Sequence, residues 1–504
     1  MFGRGYLTWE WIGTNDTGPI RSHIHPLIFV PIMYLFRVTR LDTYWIIALA
    51  PRVIQGLITA LGDVHIAKFH ELNFGKGSQK WFLFLYVTNI YILFCGSRTL
   101  INTLEMNLTS IALFHYSKSI SCYEDDHHGA KKSKTDIKKK SNQVEVKIWQ
   151  HEIIYVIIIS SSFIMRPTTA VFWIPLVLYH INILYKKSLI ITTLVTRLIP
   201  CAASTLLVLT SIDSKLYGKV VFIPWNFLKI NVLKNISSQY GIEPWYYYFT
   251  HTLLPLLNIS SIFAIGGISQ LRNYKKDTSI YIAATMWTLG VLSTIEHKEQ
   301  RFILPLFPVI LCYAAKFSHE IIIRRELHRK AIATSVLVLN ILPLIYLLFW
   351  HKVGPTNVVS NLAKEFNALG NDSYYKKDIL FLLPCHSAPF YSHFHLDYQL
   401  DFLKCPPVII SDAEQYSNGL DESDFFFQFP EKWLENNFQG ESRKDGRKLP
   451  SHLVIFDTQA NLDVFKKFAS TNGFEKCMDI YNTLFSENKR HGTRIHVYCR
   501  KKNK

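Results

Sequence analysis

The densest set of reactive side chains is the run Glu296-His-Lys-Glu-Gln-Arg301, six polar residues between two apolar stretches. His297, Lys298 and Arg301 are cationic donors of the kind that hold a phosphate, Arg through a planar fork of N–H groups and Lys as a point charge. Glu299 can orient one of them or a sugar hydroxyl. The run also reads as an ordinary polar turn between spans. Upstream, Arg98 and Glu105 are seven residues apart, and Arg52 and Asp63 eleven apart. Both spacings return to one helix face at about 3.6 residues per turn. Charges among apolar residues need a partner or a wet cavity. These pairs therefore either lock helices together or line a cavity for a charged headgroup. Residues 213–249 are rich in aromatics and Asn, including Trp225-Asn226, Tyr240 and Trp245-Tyr-Tyr-Tyr. Such rings gather at membrane interfaces and also stack on sugars. There is no Walker loop, dinucleotide fingerprint or zinc-spaced Cys/His set, so neither a cofactor nor a metal is expected.

The elements that must carry these residues are membrane helices. Of 504 residues, 49% are hydrophobic and only 18% charged, with mean hydropathy +0.11. A soluble domain carries about 25% charge. Eleven segments approach the length of a span: Ile24–Phe36, Tyr44–Gly62, Trp81–Gly96, Leu100–Tyr116, Ile153–Met165, Thr168–Tyr185, Leu189–Ile212, Leu253–Ser269, Ser279–Ile295, Phe302–Phe317 and Ala331–Trp350. A bilayer core takes about 20 apolar residues, so several are short. No signal peptide is visible after Met1. Residues 1–350 read as a multi-span module of about 9–11 helices, with 117–150 as a Lys-rich, disordered cytosolic loop.

The net charge of +17 is a matter of topology. Residues 351–504 hold 20 Lys and Arg against 19 Asp and Glu, so +16 lies in the first 350 residues. Basic loops stay on the cytosolic side. Residues 131–140 carry six Lys, and alternation from there places Asp213–Thr250, Glu296–Arg301 and the tail 351–504 on the other side, with no role for nucleic acid. Upstream of residue 117 the parity fails, which predicts one half-helix or two joined segments. The tail reads as a small soluble α/β domain, with strands at Ile379–Leu383, His452–Phe456 and Ile495–Cys499 and a helix at Asn461–Ala469. Cys385 and Cys405 are either a disulfide or two buried thiols. The sequon Asn371-Asp-Ser suits a lumenal tail.

Taken together these segments resemble the endoplasmic-reticulum mannosyltransferases of glycosyltransferase family 22. The resemblance is carried by Phe2-Gly-Arg-Gly-Tyr-Leu-Thr-Trp9-Glu10-Trp11, Arg21-Ser22, Pro51-Arg52, Asp63, Arg98 through Glu105, Arg166-Pro-Thr168, Asp213 with Tyr217-Gly218, Asn226-Phe-Leu, Tyr240-Gly241, Pro244-Trp245 and His297-Lys-Glu-Gln-Arg301-Phe302. The tail runs Pro384-Cys-His-Ser387, Phe402-Leu-Lys-Cys405-Pro-Pro407 and Leu420-Asp-Glu-Ser-Asp424 resemble the branch that acts on GPI-anchor precursors. The resemblance implies a polytopic GT-C type fold with a lumenal active site. It implies dolichyl-phosphate-mannose as lipid-linked donor, a mannosylated GPI precursor as acceptor, and α1,2 transfer of a third mannose. Glu10, Arg21, Arg98, Glu105, Asn226, Tyr240, Trp245, His297, Lys298, Glu299 and Arg301 are then expected to contact substrate. The family's usual base is an Asp in a His-Pro-Asp-Glu loop that precedes the Phe-Gly-x-Gly-Tyr segment. That string does not occur in these 504 residues. The expectation is that it lies upstream of Met1, with Glu10 as the fallback carboxylate. The competing reading is a membrane protein without catalysis, either a degenerate partner or a lipid transporter. The absence of repeated halves argues against a transporter.

This topology predicts that protease added to sealed microsomes cuts within 131–140 and spares the tail beyond Trp350. Cleavage of the tail with the Lys-rich segment protected would invert it.

Overall fold

A computed structural model describes residues 7–13, 18–125, 134–270, 278–323, 326–368, 378–394, 396, 398–405, 420–438, 448–486 and 490–500. The Phe2–Tyr6 part of the first motif, residues 126–133 of the Lys-rich connection, Arg272–Lys276, the Asn371 sequon and Pro406-Pro407 lie outside the described residues. The chain forms two compact units, one of residues 15–32 and 50–344, the other of 1–14, 33–49 and 345–504.

Among the described residues five helices are long and apolar enough to cross a membrane: Tyr44–Phe74, Ile148–Met165, Ile190–Tyr217, Gln300–Ile321 and Arg329–Asn367. The pair Tyr248–Leu257 and Ser260–Ser269, bent by 112° at the break, is either a broken span or a re-entrant loop. Several of the eleven sequence segments are thus broken or mixed helices. Trp81–Gly96 is two helices, Gln79–Thr88 and Ile90–Gly96. Asn89 separates them: its extended backbone ends the first, and its side chain accepts from the N–H groups of Tyr91 and Ile92 to cap the second. Ile24–Phe36 is likewise two short pieces, Ile24–Leu27 and Val30–Val38. The described parts of the 117–150 connection are helical, where an irregular loop was expected. The helix Ile101–Asp125 runs into it from one side and Lys134–Met165 begins within it from the other. The reason is local: Lys, Glu and Gln are good helix formers, so a charged run can carry a helix onward.

The larger unit is held by one apolar core. Phe69, Phe82, Tyr86, Tyr116, Tyr281, Phe307 and Tyr313 are buried at its centre. Helices approach closely where a residue lacks a side chain, as in membrane bundles. At Gly267 an added Cβ would lie 2.4 Å from the Tyr313 carbonyl oxygen, so the Ser260–Ser269 and Phe307–Ile323 helices meet at backbone distance there.

The smaller unit contains a five-stranded sheet. Its strands are β1 (Asp378–Leu382), β2 (Gln399–Phe402), β3 (His452–Phe456), β4 (Phe474–Tyr481) and β5 (Arg494–Arg500), in the order β2-β1-β3-β5-β4. β1 is parallel to β2 and β3, while β5 is antiparallel to β3 and β4. Side chains alternate between faces along a strand. Ile379 and Phe381 pack with Val358, Leu362 and Phe366 of the helix Gly354–Ala368. Leu380 and Leu382 pack on the opposite face with Phe426, Trp433 and Phe465. Two helical layers therefore sandwich the sheet. Cys385 is bonded to Cys405, and Cys477 to Cys499 across β4 and β5.

Candidate active site

The site grows from the turn that follows the helix Ser279–Thr294. Ile295 has extended backbone, which ends the helix, and Glu299 is again extended before the tight helix Gln300–Leu306. Residues 295–299 thus form a short arch whose side chains point several ways. Glu299 is its hub. Arg301 donates through Nη2 to Glu299 Oε1 at 2.8 Å and through Nε to Oε2 at 2.6 Å. His297 Nε2 lies 3.2 Å from the same Oε1. The other ring nitrogen, Nδ1, lies 3.2 Å from the Gly241 carbonyl oxygen. A carbonyl and an ionised carboxylate can only accept, so the geometry suits a ring with both nitrogens protonated and favours the imidazolium form of His297.

The electrostatics agree with that geometry. Burial alone would push the Glu299 carboxyl up. The hydrogen bonds from His297 and Arg301 reverse this and bring it down to about 2. The bond to Glu299 raises His297 above its usual 6.5 against the opposing effect of burial. Arg301 remains 45% exposed at its side chain. Its fork is held by Glu299 on one edge and open on the other.

Lys298 does something else. It is buried, and its ammonium donates to the carbonyls of Glu243 and Ile295. The Glu243 N–H donates in turn to the Glu296 carbonyl at 3.0 Å. Lys298 therefore ties the aromatic 240–248 segment to the arch and has little left for a ligand. Tyr240 meets the His297 ring edge-on at 6.2 Å, whereas Trp245 is 68% exposed.

Behind the arch lies a second charged pair. Asn102, in the first turn of the Ile101–Asp125 helix, donates to the Arg301 carbonyl at 2.9 Å. One turn on, Glu105 is buried. It accepts from Thr169 Oγ1 at 2.7 Å and pairs with Arg166 Nε at 3.1 Å. The Arg166 guanidinium sits 5.2 Å from the centre of the Phe302 ring, with Arg301 and Arg21 as like charges acting on it. Arg166 Nη1 is buried without a hydrogen-bond partner among the described residues, where buried polar groups normally have one, and the Tyr248 hydroxyl lies beside it against the backbone of Glu299.

Arg21 is brought here by a well-anchored segment. Asn226 Nδ2 donates to the Pro19 carbonyl at 2.9 Å, and Tyr217 donates to the Arg21 carbonyl at 2.6 Å. The buried Asp213 accepts from the His23 N–H at 2.8 Å. At Gly18 an added Cβ would lie 2.6 Å from Asn226 Nδ2, which explains the glycine. Asn226 is thus a positioning residue in this structure. Glu10 lies in the other unit, in the short helix Trp9–Ile12.

Of the two pairs read as sharing a helix face, Arg98 and Glu105 do not lie on one helix. Arg98 precedes the Ile101–Asp125 helix. Its guanidinium stacks 3.7 Å from the Phe94 ring centre, with Nε donating to the Phe94 carbonyl. A face-sharing rule needs both residues on one helix, so the partner of Glu105 is Arg166, which spacing could not reveal. Asp63 accepts from Tyr86 at 2.7 Å and does not serve Arg52, which is exposed.

A fold of broken apolar helices with cations gathered around a carboxylate is that of an integral-membrane protein. Residues 1–395 match the Alg9-like mannosyltransferase family, and the chain belongs to it. It is 33% identical over 501 residues to a GPI alpha-1,2-mannosyltransferase 3 of Danio rerio, covering 99% of this chain and 83% of that one. It is 31% identical over 471 residues to a GPI mannosyltransferase 3 of Drosophila melanogaster, covering 92% and 75%. Its fold is similar to that of ArnT from Cupriavidus metallidurans in a crystal structure bound to undecaprenyl phosphate, with a TM-score of 0.54 at 12% identity over 95% of this chain and 88% of that one. The fold is therefore the GT-C type, with a small C-terminal α/β part.

The protonation states predict a pH signature. The unfolded His297 titrates near 6.5, so its bond to Glu299 contributes fully below that pH. The contribution fades as pH rises through the raised folded value. Glu299 contributes above its unfolded value near 4.5 and loses its contribution only as pH falls toward 2. Thermal melts of wild type and His297→Gln should differ most between about pH 5 and 6 and converge in alkali. A difference that grows with pH would refute the doubly protonated ring.

Proposed function

We propose that this chain transfers mannose from dolichyl-phosphate-mannose to a mannosylated GPI precursor, adding the third, α1,2-linked residue in the endoplasmic reticulum membrane with the site on the lumenal side. The observation that carries the reading is the ordered cation set: Arg301 and His297 held by Glu299, with Arg166 behind them. Departure of a lipid phosphate builds negative charge on oxygen, and fixed donors at that point stabilise the transition state. The names of the relatives support a GPI acceptor and an α1,2 linkage, and the undecaprenyl phosphate bound to ArnT supports a lipid-linked donor.

The donor phosphate is β-linked in this reading, and one in-line displacement inverts it to an α-linked product. The acceptor hydroxyl oxygen forms the new bond to the sugar carbon as the bond to the phosphate oxygen breaks. The proton passes to a carboxylate acting as general base. Glu299 is unsuited to that task, since both its oxygens hold cations and its carboxyl stays ionised to about pH 2. Glu105 is committed to Arg166 and Thr169. The sequence leaves Glu10, which lies in the other unit, as the fallback carboxylate. No cofactor enters, because the lipid phosphate is itself the leaving group. The tail 351–504 is a lumenal domain in this reading, and membrane lipids are the protein's surroundings. Tyr240 and Trp245 offer exposed rings to the acceptor sugars.

Expressed from its own gene in cells lacking a third-mannose transferase, the protein should convert the accumulated two-mannose lipid intermediate to the three-mannose form and restore GPI-anchored proteins at the surface. Arg301→Ala should lower conversion by about 10²-fold or more, the cost of one oxyanion donor. Arg301→Lys should recover only part, since Lys lacks the planar fork. Expression without any shift in the intermediate would favour the non-catalytic partner or transporter. Full conversion by Arg301→Ala would remove Arg301 from the site.

A further inference from the structure

A second polar cavity lies well away from the arch. It has a volume of about 690 Å³ and is lined by Lys68, Glu71, Asn73, Lys76, Lys118 and Lys316, together with Leu72, Phe74 and Phe114. Lys68 belongs to the helix Tyr44–Phe74, Lys118 to Ile101–Asp125 and Lys316 to Phe307–Ile323. The Ile101–Asp125 helix gives the separation between the two sites. Glu105 is in its first turns and Lys118 is thirteen residues on, about 20 Å along the axis at 1.5 Å per residue.

The charges in this cavity are unbalanced. Lys76 pairs with Glu71 at 3.5 Å, and Lys316 with Glu320 at 3.3 Å. Lys68 and Lys118 have no ion pair among the described residues. Lys68 instead lies 6.0 Å from the centre of the Phe114 ring. Simple topological bias would put lysines on connecting loops. Here three helices distant in sequence converge their lysines on one concavity that has Glu71 as its single acidic lining residue. A cleft lined by one sign of charge focuses the field and concentrates counter-ions. Lysines arranged as point charges suit phosphate oxygens, and basic pockets between membrane helices take phosphate headgroups. The rest of the wall is not loop-like: Leu72, Phe74 and Phe114 give it an apolar side. Asn73 is occupied, with Nδ2 donating to the Phe69 carbonyl and to Ser117, so it shapes the wall and leaves the lysines as the donors.

We propose that this cavity binds a phosphate group, carried by the headgroup of an anionic phospholipid whose acyl part lies against Leu72, Phe74 and Phe114, with Lys68 and Lys118 as its principal charge partners. The site is separate from the Glu299 cluster and would hold a lipid whether or not the protein is transferring a sugar.

The test uses the full protein in phosphatidylcholine nanodiscs, with and without about one-fifth phosphatidic acid, and a parallel titration with inorganic phosphate. A ligand that binds the folded state raises the melting temperature in proportion to its occupancy. Wild type should melt higher with phosphatidic acid, and the shift should shrink at high salt. The double variant Lys68→Gln/Lys118→Gln should lose at least half of the shift, Lys68→Arg/Lys118→Arg should keep it, and Arg301→Ala should keep it too. A shift with inorganic phosphate alone, lost in the Gln variant, would support the anion site and overturn its lipid source. An equal shift in wild type and the Gln variant, or none with either ligand, would overturn the proposal. Melting of the Gln variant in pure phosphatidylcholine shows whether it is folded.

Discussion

The arrangement at the candidate site depends on one carboxylate. Glu299 has two oxygens, and both are occupied: Oε2 by the Arg301 Nε, Oε1 by Arg301 Nη2 and His297 Nε2. Two cations this close would repel each other in a partly buried site. The shared carboxylate removes that difficulty and fixes their orientation. It also biases protonation, favouring the charged form of His297 while remaining ionised itself. The partial exposure of Arg301 matters for the same reason, because a fully buried pair would be inert to a ligand.

Much of the surrounding structure exists to bring backbone to this carboxylate. Lys298, a cation that looks suited to phosphate, is turned inward to clamp the 240–248 segment to the arch. Asn102 reaches the Arg301 carbonyl and so joins the arch to the helix that carries Glu105. Asp213, Tyr217 and Asn226 come from two other stretches, yet all three bond to the short segment between Pro19 and His23. That segment bears Arg21. Residues that carry the family resemblance therefore include many that hold main chain in place, and fewer that face a ligand directly.

The sequence showed the arch as six polar residues between apolar stretches, which reads either as a cation cluster or as an ordinary turn, and spacing alone could not show that Glu299 joins Arg301 and His297. It made β1 and β3 legible because central strands covered on both faces are continuous apolar runs, and β5 through the alternation of Ile495, Val497 and Cys499. β2 and β4 were missed because they are the two edges of the sheet, and β4 is largely exposed along its middle. The Cys477–Cys499 bridge was missed with it, since pairing across β4 and β5 requires knowing that β4 exists. Membrane segments were legible as apolar stretches, but breaks such as that at Asn89 depend on a capping side chain which hydropathy does not register. Glu105 was visible as a charge in an apolar run. Its partner was not, because Arg166 comes from a different helix end and the neighbour at helical spacing, Arg98, sits outside the helix altogether.

The central claim is that Glu299 acts by orienting cations toward a lipid phosphate. The most direct test is the affinity of the purified protein for dolichyl phosphate, the released form of the proposed donor, compared between wild type and Glu299→Gln. The substitution removes a negative charge, so attraction by net charge alone would tighten binding. Loss of the bonds that hold Arg301 and His297 should instead weaken it. Hydrogen bonds to charged groups are worth about 1.5–3 kcal/mol, and about 1.4 kcal/mol is tenfold, so affinity should fall roughly tenfold to a hundredfold. Unchanged or tighter binding by Glu299→Gln would contradict the account.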